Sequence, residues 1–295
     1  MTREGAVSAG VMPSQSEFRR IVKVFFGRKM AVVGFSIVAM WVLIAIFAPH
    51  LAPYDPYEPD VRQILLQPSW EHLLGTDAIG RDTLSRVIYG SWIALLVGVV
   101  AISIAASIGV TLGLIAAYFG GITYMVIMRF VDTLMSFPMI VKALVLAALT
   151  GGGLKSVLIA ISIVLMSTYA RLICGLVLSV KELDYVTAAR AIGAGNLRII
   201  LRHILPNSFP PLIVQITLQM GYAILLEASL SFLGVGINPP TAAWGAMVAD
   251  GYSYLFTNPM LSFAPGLAIM SVVFGFNMMG DGLRDVLDPR LRGSL

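Results

Sequence analysis

Long uncharged stretches recur along this chain, and they are too apolar and too long for the core of a soluble domain. The hydrophobic runs cover approximately residues 30–48, 92–118, 127–150, 156–180, 207–226 and 261–280. A helix needs about 20 residues to cross about 30 Å of hydrocarbon. Because lipid offers no partners for open backbone groups, we expect an all-α, polytopic membrane protein with six transmembrane helices.

Two of these runs contain charged residues. The third carries Arg129, Asp132 and Lys142 and is interrupted by Pro138, and the fourth carries Arg171. Charges inside a membrane span are costly, so each is a functional candidate. Arg129 and Asp132 lie three positions apart, which predicts a structural pair on one helical face. Lys142 either extends its ammonium group to the interface or lines a substrate path, and we interpret Arg171 as a structural charge.

The composition supports a membrane protein and excludes several other classes. Hydrophobic residues make up 58% of the chain and charged residues 12%, against roughly a quarter charged in soluble domains. The net charge of +4 is small, which favours membrane topology over nucleic-acid binding. Cys174 is the single cysteine, so the sequence provides no disulfide framework or cysteine metal site. His50, His72 and His203 are scattered and there is no phosphate-binding Gly-rich loop, so we expect no cofactor in this chain.

The distribution of basic residues predicts which loops are cytoplasmic. With an even number of spans both termini lie on one side, and the positive-inside rule places them in the cytoplasm. Only Arg62, Arg81, Arg86 and Lys155 then lie outside. The basic residues at the cytoplasmic face are Arg3, Arg19, Arg20, Lys23, Arg28, Lys29, Arg129, Arg171, Lys181, Arg190, Arg198, Arg202, Arg284, Arg290 and Arg292.

Two long segments are predicted to be external. We call residues 49–90 the first external segment and residues 234–260 the second. The second contains no Lys or Arg and is rich in Gly, Pro and aromatic residues, which favours a flap folded back on the outer face over a passive connection. The first hydrophobic run is too long for a typical signal-peptide core and no small-x-small cleavage site follows it, so we interpret it as retained.

A charged, amphipathic stretch at residues 184–206, here called the elbow, interrupts the apolar pattern. We predict a first helix that starts at Asp184, with its carboxylate as cap, and runs to Ile192. Gly193-Ala194-Gly195 should break this helix, Asn196 should cap a second one, and Pro206 should end it.

The side chains of the elbow divide into faces. Ala188 and Ala189 give the first helix a small-residue face that allows another surface to come close. On the second helix the predicted apolar face consists of Leu197, Ile200, Leu201 and Ile204, with Arg198 and Arg202 on another face. From the physics alone, an interfacial connector and a docking surface are both open interpretations.

The elbow resembles the loop of ABC importer permeases that docks into a groove on the cytosolic ATPase. That pattern is Glu-Ala-Ala, three residues, Gly, nine residues, then Ile-x-Leu-Pro. The residues at the pattern's positions are Ala188, Ala189, Gly193, Leu205 and Pro206. Two positions depart from it: Thr187 replaces the Glu, so the usual carboxylate is missing, and His203 replaces the Ile.

Three further stretches resemble peptide-type permeases of the same superfamily. They are GTDAIGRDTLSRVIYG at 75–90, EASLSFLGVG at 227–236 and NMMGDGLRDVLDPRLR at 277–292. The resemblance implies a type I ABC importer permease fold in a prokaryotic plasma membrane. It also implies a second related permease, two ABC ATPases that bind ATP and Mg, and an extracytoplasmic substrate-binding protein. The expected mechanism is ATP-driven alternating access.

These stretches also contain charge patterns. Asp77 with Arg81, and Asp82 with Arg86, lie four positions apart and are predicted to pair. Glu227, at the end of the fifth run, either holds the second external segment or contacts a peptide amino terminus. Near the C-terminus a cytoplasmic cap is predicted from the interleaved charges Asp281, Arg284, Asp285, Asp288, Arg290 and Arg292.

The resemblance assigns the ATPase-coupling role to residues of the elbow. These are Asp184, Tyr185, Ala188, Ala189, Arg190, Gly193, Leu197, Ile200, Leu201, Leu205 and Pro206. The predicted regions are a tail at 1–29, a first helix with external segment at 30–90, a core at 91–283 with its coupling loop at 181–207, and a tail at 284–295.

The substrate class stays open between di- or oligopeptides and, as the alternative, nickel or a metal chelate. The scarcity of His and Cys argues only weakly against the metal, since selectivity in such systems resides mainly in the binding protein. An intramembrane enzyme would need paired catalytic groups at matching depth. Arg129, Asp132, Lys142 and Glu227 show no such convergence in the sequence.

Overall fold

A computed structural model describes residues 14–287 as helices joined by turns and loops. The predicted cap residues Asp288, Arg290 and Arg292 lie outside this range. The helices are α1 Ser14–Gly27, α2 Lys29–Ile46, α3 Ala48–Leu51, α4 Thr83–Phe119, α5 Gly121–Met135, α6 Met139–Leu149, α7 Gly153–Val180, α8 Asp184–Ala191, α9 Asn196–Ile199, a π-helical turn Ile200–Ile204, α10 Leu205–Phe232, α11 Trp244–Tyr252 and α12 Met260–Leu287. The all-α prediction is confirmed for the described part of the chain.

The helices account for the predicted spans. Five are long and apolar enough to cross a membrane, and α5 with α6 forms a sixth if the pair is one span bent by 94°. The bend lies at Pro138, which precedes α6 with φ −54° and ψ 136°. Proline has no N–H and disfavours helical geometry in the residue before it, so the third run breaks where its sequence predicts.

The centre of the bundle is the seam between α4 and α7. A Cβ atom added at Gly109 would lie 2.4 Å from the carbonyl oxygen of Met166, and one added at Gly113 would lie 2.4 Å from that of Ala170. The two backbones therefore touch, as in small-xxx-small helix pairs in membranes. Leu165 and the other large side chains of α7 fill the remaining core.

A second seam joins α2, α12 and the second external segment. Trp244 of α11 is buried, its Nε1 donates to the carbonyl oxygen of Val87 at 2.9 Å, and its ring lies 5.0 Å from that of Trp41. A Cβ at Gly245 would lie 2.1 Å from the carbonyl oxygen of Ala228, so α11 packs directly on α10. The second external segment is thus a packed helical element and not a passive connection.

The first external segment folds over the start of α4. Arg81 donates from Nε to Asp77 at 2.7 Å, which confirms the first predicted pair. The predicted pair of Asp82 with Arg86 is wrong. Asp82 precedes α4 and caps it by accepting from the backbone N–H of Ser85 at 2.7 Å, and this leaves Arg86 to donate to the carbonyl oxygen of Pro56 at 2.9 Å.

The end of α12 is held by an ion pair with the N-terminal region. Asp285 lies 2.5 Å from Nη1 of Arg28, at the junction of α1 and α2. Asp281 and Arg284 are exposed and form no ion pair within residues 14–287. Of the predicted C-terminal cap, the described part therefore contributes one long-range ion pair.

Candidate functional site

The first helix of the elbow presents one small face to the body and the rest to solvent. Helix α8 buries Val186 and Ala189, while Ala188 and Arg190 are exposed and Tyr185 is 41% exposed. The predicted capping role of Asp184 is wrong. Leu183 is the N-cap residue, and no side chain caps the helix. Asp184 lies inside the first turn, where its negative charge interacts favourably with the positive end of the helix dipole.

The break after α8 occurs where the glycines predict it. Gly193 has φ +85°, a left-handed conformation that costs other residues about 1–2 kcal/mol. Its N–H donates to the carbonyl oxygen of Arg190 at 3.0 Å, and the N–H of Ala194 donates to that of Ala189 at 3.0 Å. These bonds satisfy carbonyl groups at the end of the helix and fix a tight turn.

Asn196 is not the predicted cap of the next helix. Gly195 is the N-cap residue, and Asn196 is the first helical residue of α9. Its Oδ1 accepts a hydrogen bond from the hydroxyl of Tyr118 at 2.8 Å. Nζ of Lys181 donates to the carbonyl oxygen of Ala117 at 3.2 Å. The elbow and the turn that precedes it are therefore each tied once to the end of α4.

Pro206 does not end the second helix, contrary to the prediction. The chain passes from α9 through the π-helical turn Ile200–Ile204 into α10, and the N–H of Leu205 bonds the carbonyl oxygen of Ile200 five residues earlier. The wider π geometry changes the hydrogen-bond register just before a residue that has no N–H to donate. The result is one helical element from Asn196 to Phe232, 37 residues long.

The π-helical turn also changes which side chains of this helix are buried. Ile199 and Ile204 are fully buried, whereas Leu197 is 69% and Leu201 55% exposed, so the predicted single apolar face is wrong. A face that follows a period of 3.6 residues in the sequence is rotated once an extra residue is inserted in a turn. Exposed Leu197 and Leu201, with Ile192 at 85%, give the elbow an unusual apolar surface.

The charged residues of the third and fourth runs pair differently from the prediction. Asp132 of α5 forms an ion pair with Arg171 of α7, not with Arg129. Arg129 is exposed and makes no ion pair within the described part of the chain. Because α5 lies against α7, Asp132 reaches a cation on the neighbouring helix instead of the cation one turn away on its own.

Lys142 lies just beyond the bend between α5 and α6. Its Nζ donates to the carbonyl oxygen of Leu134, in the last turn of α5, so the ammonium group bridges the break. A positive charge at this position interacts favourably with the free carbonyl groups at the end of a helix. This contact supports a structural role, and no hydrogen bond or ion pair joins Lys142 to Glu227.

Lys142→Met should destabilise the protein by about 1–3 kcal/mol, because it removes a charged hydrogen bond to a backbone carbonyl while keeping the length of the side chain. Thermal unfolding of the purified protein in detergent measures the change. Lys155→Met, at an exposed lysine of α7, is the matched control. An unchanged unfolding temperature together with altered uptake of particular substrates would favour the path instead.

Glu227 is buried inside the protein. It is 1% exposed and accepts a hydrogen bond from the hydroxyl of Ser231 at 2.7 Å. The same hydroxyl oxygen accepts from the backbone N–H of Ile237 at 3.0 Å. Glu227 and Ser231 together anchor the start of the second external segment to α10.

Two contact residues of the elbow were absent from the sequence-based set. Tyr118 binds Asn196, and Nδ2 of Asn207 lies 2.9 Å from the hydroxyl of Tyr185. A tyrosine at the end of a long apolar run and an asparagine directly after the motif are weak indications, since neither identifies its partner. Within residues 14–287 no cluster of three or more His, Cys, Asp or Glu residues is arranged to hold a metal ion.

Sequence relatives agree with this architecture. The family profile of the binding-protein-dependent transport system inner membrane component matches residues 109–293, and that of the N-terminal TM domain of oligopeptide transport permease C matches residues 16–68. The dipeptide transport system permease protein DppC of Alkalihalophilus pseudofirmus is 44% identical, over 96% of this chain and 91% of that protein. The probable D,D-dipeptide transport system permease protein DdpC of Escherichia coli is 42% identical, over 93% of this chain and 92% of that protein.

Solved structures support the fold. The MetNI methionine ABC transporter superposes with a TM-score of 0.56 at 18% identity, over 69% of this chain and 96% of that chain. An amino acid ABC transporter superposes with a TM-score of 0.52 at 16% identity, over 70% of this chain and 95% of that chain. With two family profiles and relatives above 40% identity that span almost the whole chain, the protein belongs to the family of binding-protein-dependent transport system inner membrane components.

Proposed function

We propose that this chain is one permease subunit of an ATP-driven peptide importer in a prokaryotic plasma membrane. The observation that carries the proposal is the continuous helical element Asn196–Phe232, which starts in the exposed elbow and crosses the bundle to the second external segment. The helix continues through the π-helical turn and through Pro206, Pro210 and Pro211, and a continuous helical element can carry a displacement from one end to the other. A force applied at the elbow would therefore reach the opposite end of the protein.

The same geometry and the family support the proposed partners. The exposed side of α8, together with the exposed apolar side chains of Ile192 and Leu197 that follow it, suits a groove on a cytosolic ATPase. Two such ATPases would bind ATP and Mg and supply the energy. A second permease would complete the path, and an extracytoplasmic binding protein would deliver the substrate. Alternating access then follows from rocking of the two permease halves.

The peptide substrate is supported by the relatives. Their names include dipeptide, D,D-dipeptide and, at 38% identity in Pectobacterium atrosepticum, glutathione transport. The experiment is reconstitution of the complete transporter in proteoliposomes with ATP inside and the binding protein outside. Labelled dipeptide should accumulate only with ATP. Uptake of Ni²⁺ in place of peptide would overturn the peptide assignment, and ATP-independent uptake would overturn the assignment as an ATP-driven importer.

Gly193→Pro should reduce ATP-driven uptake to below about a tenth of the wild-type value. Proline cannot adopt φ +85°, and it also removes the N–H that donates to Arg190, so α8 loses its position. Gly195→Ala is the matched control, because Gly195 has φ −67° and open space where a Cβ would lie. Normal uptake by the proline variant, with the ATPases still bound, would contradict a coupling role for the elbow.

A further inference from the structure

The angle between α8 and the long helix is held by a small hydrogen-bonded cluster. Nδ2 of Asn207 donates to the hydroxyl oxygen of Tyr185 at 2.9 Å and to the carbonyl oxygen of His203 at 2.7 Å. The tyrosine hydroxyl in turn lies 3.4 Å from that carbonyl oxygen, and the rings of Tyr185 and His203 are 6.3 Å apart. One side chain from α8 thus meets two residues of the following helix.

This cluster lies beside the glycine-containing joint between α8 and the next helix. The connection between the helices contains Gly193 and Gly195, and neither has a side chain that could pack. Val186 and Ala189 anchor α8 to the body through apolar contacts, which resist separation but allow sliding. Hydrogen bonds are directional, so the contact of Tyr185 with Asn207 limits rotation of α8 about that joint.

The π-helical turn supplies the hydrogen-bond acceptor of the cluster, which is the carbonyl oxygen of His203. Asn207 lies directly after Pro206, which lacks an N–H, and four residues after His203. Its side-chain amide reaches back to the His203 carbonyl and at the same time toward Tyr185. The same asparagine therefore stabilises the irregular helical turn and fixes the neighbouring helix.

We infer that Tyr185 and Asn207 are positioning residues that make the elbow stiff enough to transmit force from α8 to the long helix. This inference rests on the proposed coupling function. Without the hydrogen bond the glycine joint would absorb part of each displacement of α8. ATP hydrolysis would then continue while fewer substrate molecules cross for each ATP consumed.

The test compares Tyr185→Phe, Asn207→Leu and the double variant in the reconstituted transporter. Each single variant should lower the number of peptides imported per ATP hydrolysed by about threefold to tenfold, in line with the loss of one hydrogen bond. The double variant should be no worse than Asn207→Leu, because that single variant already loses both the contact with Tyr185 and the hydrogen bond to the His203 carbonyl oxygen. Tyr252→Phe, at an exposed tyrosine of α11, is the control and should leave the ratio unchanged.

A second measurement covers variants that fail to assemble. Spin labels at Thr187→Cys and Phe209→Cys, both exposed positions, report the distance between α8 and α10 in the chain with Cys174→Ser. Asn207→Leu should broaden a narrow distance distribution. An unchanged distribution, or an unchanged peptide-to-ATP ratio in a working transporter, overturns the inference. Absence of ATP-driven uptake in the wild type would instead overturn the proposed function.

Discussion

Gly113→Leu is expected to prevent most of the protein from folding. A Cβ at this position would lie 2.4 Å from the carbonyl oxygen of Ala170 and 3.1 Å from the backbone nitrogen of Cys174. Backbone atoms of α7 cannot rotate away as a flexible side chain does, so α4 and α7 must separate. Overpacking of a core costs about 1–3 kcal/mol, and separation of the central seam adds the loss of its close contacts.

The measurement is the yield of monodisperse protein in detergent and its unfolding temperature. Gly175→Leu is the matched control, because Gly175 of α7 has no atom within 4 Å of the added Cβ. The control should change stability by no more than about 0.5 kcal/mol. Equal behaviour of the two leucine variants would show that the seam between α4 and α7 is not as close as described.

Asp82→Ala should destabilise the protein by about 2–4 kcal/mol through two separate losses. The carboxylate caps α4 by accepting from the N–H and the hydroxyl of Ser85, each at 2.7 Å, and removal of a cap costs about 1 kcal/mol. Nδ1 of His72 lies 2.9 Å from the same carboxylate. His72 is 3% exposed, so its ring would lose a buried partner at a further cost of about 1–3 kcal/mol.

Protease protection of the first external segment reports the local effect, and thermal unfolding reports the global one. Both should fall in Asp82→Ala. Glu58→Gln removes a carboxylate that is exposed in the same segment, and it should behave like the wild type. If Asp82→Ala unfolds at the wild-type temperature, the contacts of Asp82 with His72 and Ser85 do not stabilise the segment.

Local chemistry made several elements predictable. The lengths of the apolar runs predicted the spans, Pro138 predicted the bend between α5 and α6, and Gly193 predicted the end of α8. Each of these depends on a property of one residue or of consecutive residues, such as the missing N–H of proline or the left-handed conformation that favours glycine. The motif of the elbow was recognisable for the same reason, since its spacing lies within one short stretch.

The wrong predictions involve competition between partners. Arg129 and Arg171 both carry a charge that suits Asp132, and Asp82 was available to Arg86, Ser85 and His72. Spacing along the chain favours the nearer residue by only a few tenths of a kcal/mol. Packing of α5 on α7, and of the first external segment on α4, decided which partner is within reach.

Pro206 shows that prediction from neighbouring residues is limited for the backbone as well. Proline usually marks the end of a helix, but a preceding π-helical turn changes the hydrogen-bond register so that the helix continues. The apolar faces of the two segments pack on the same body, and this burial favours continuity over termination. Consequently the buried positions shift from the predicted stripe to Ile199 and Ile204.

The sequence by itself determined that this protein is a helical membrane protein, where its spans lie, and which stretch carries the motif of the elbow. Burial of apolar side chains and backbone hydrogen bonding within each span leave lipid-embedded segments little alternative. The tertiary structure alone decided the ion-pair partners, the close seam between α4 and α7, and the single helical element that leads from the elbow through the bundle. Those features depend on residues far apart in the chain, whose proximity exists only after the helices have packed.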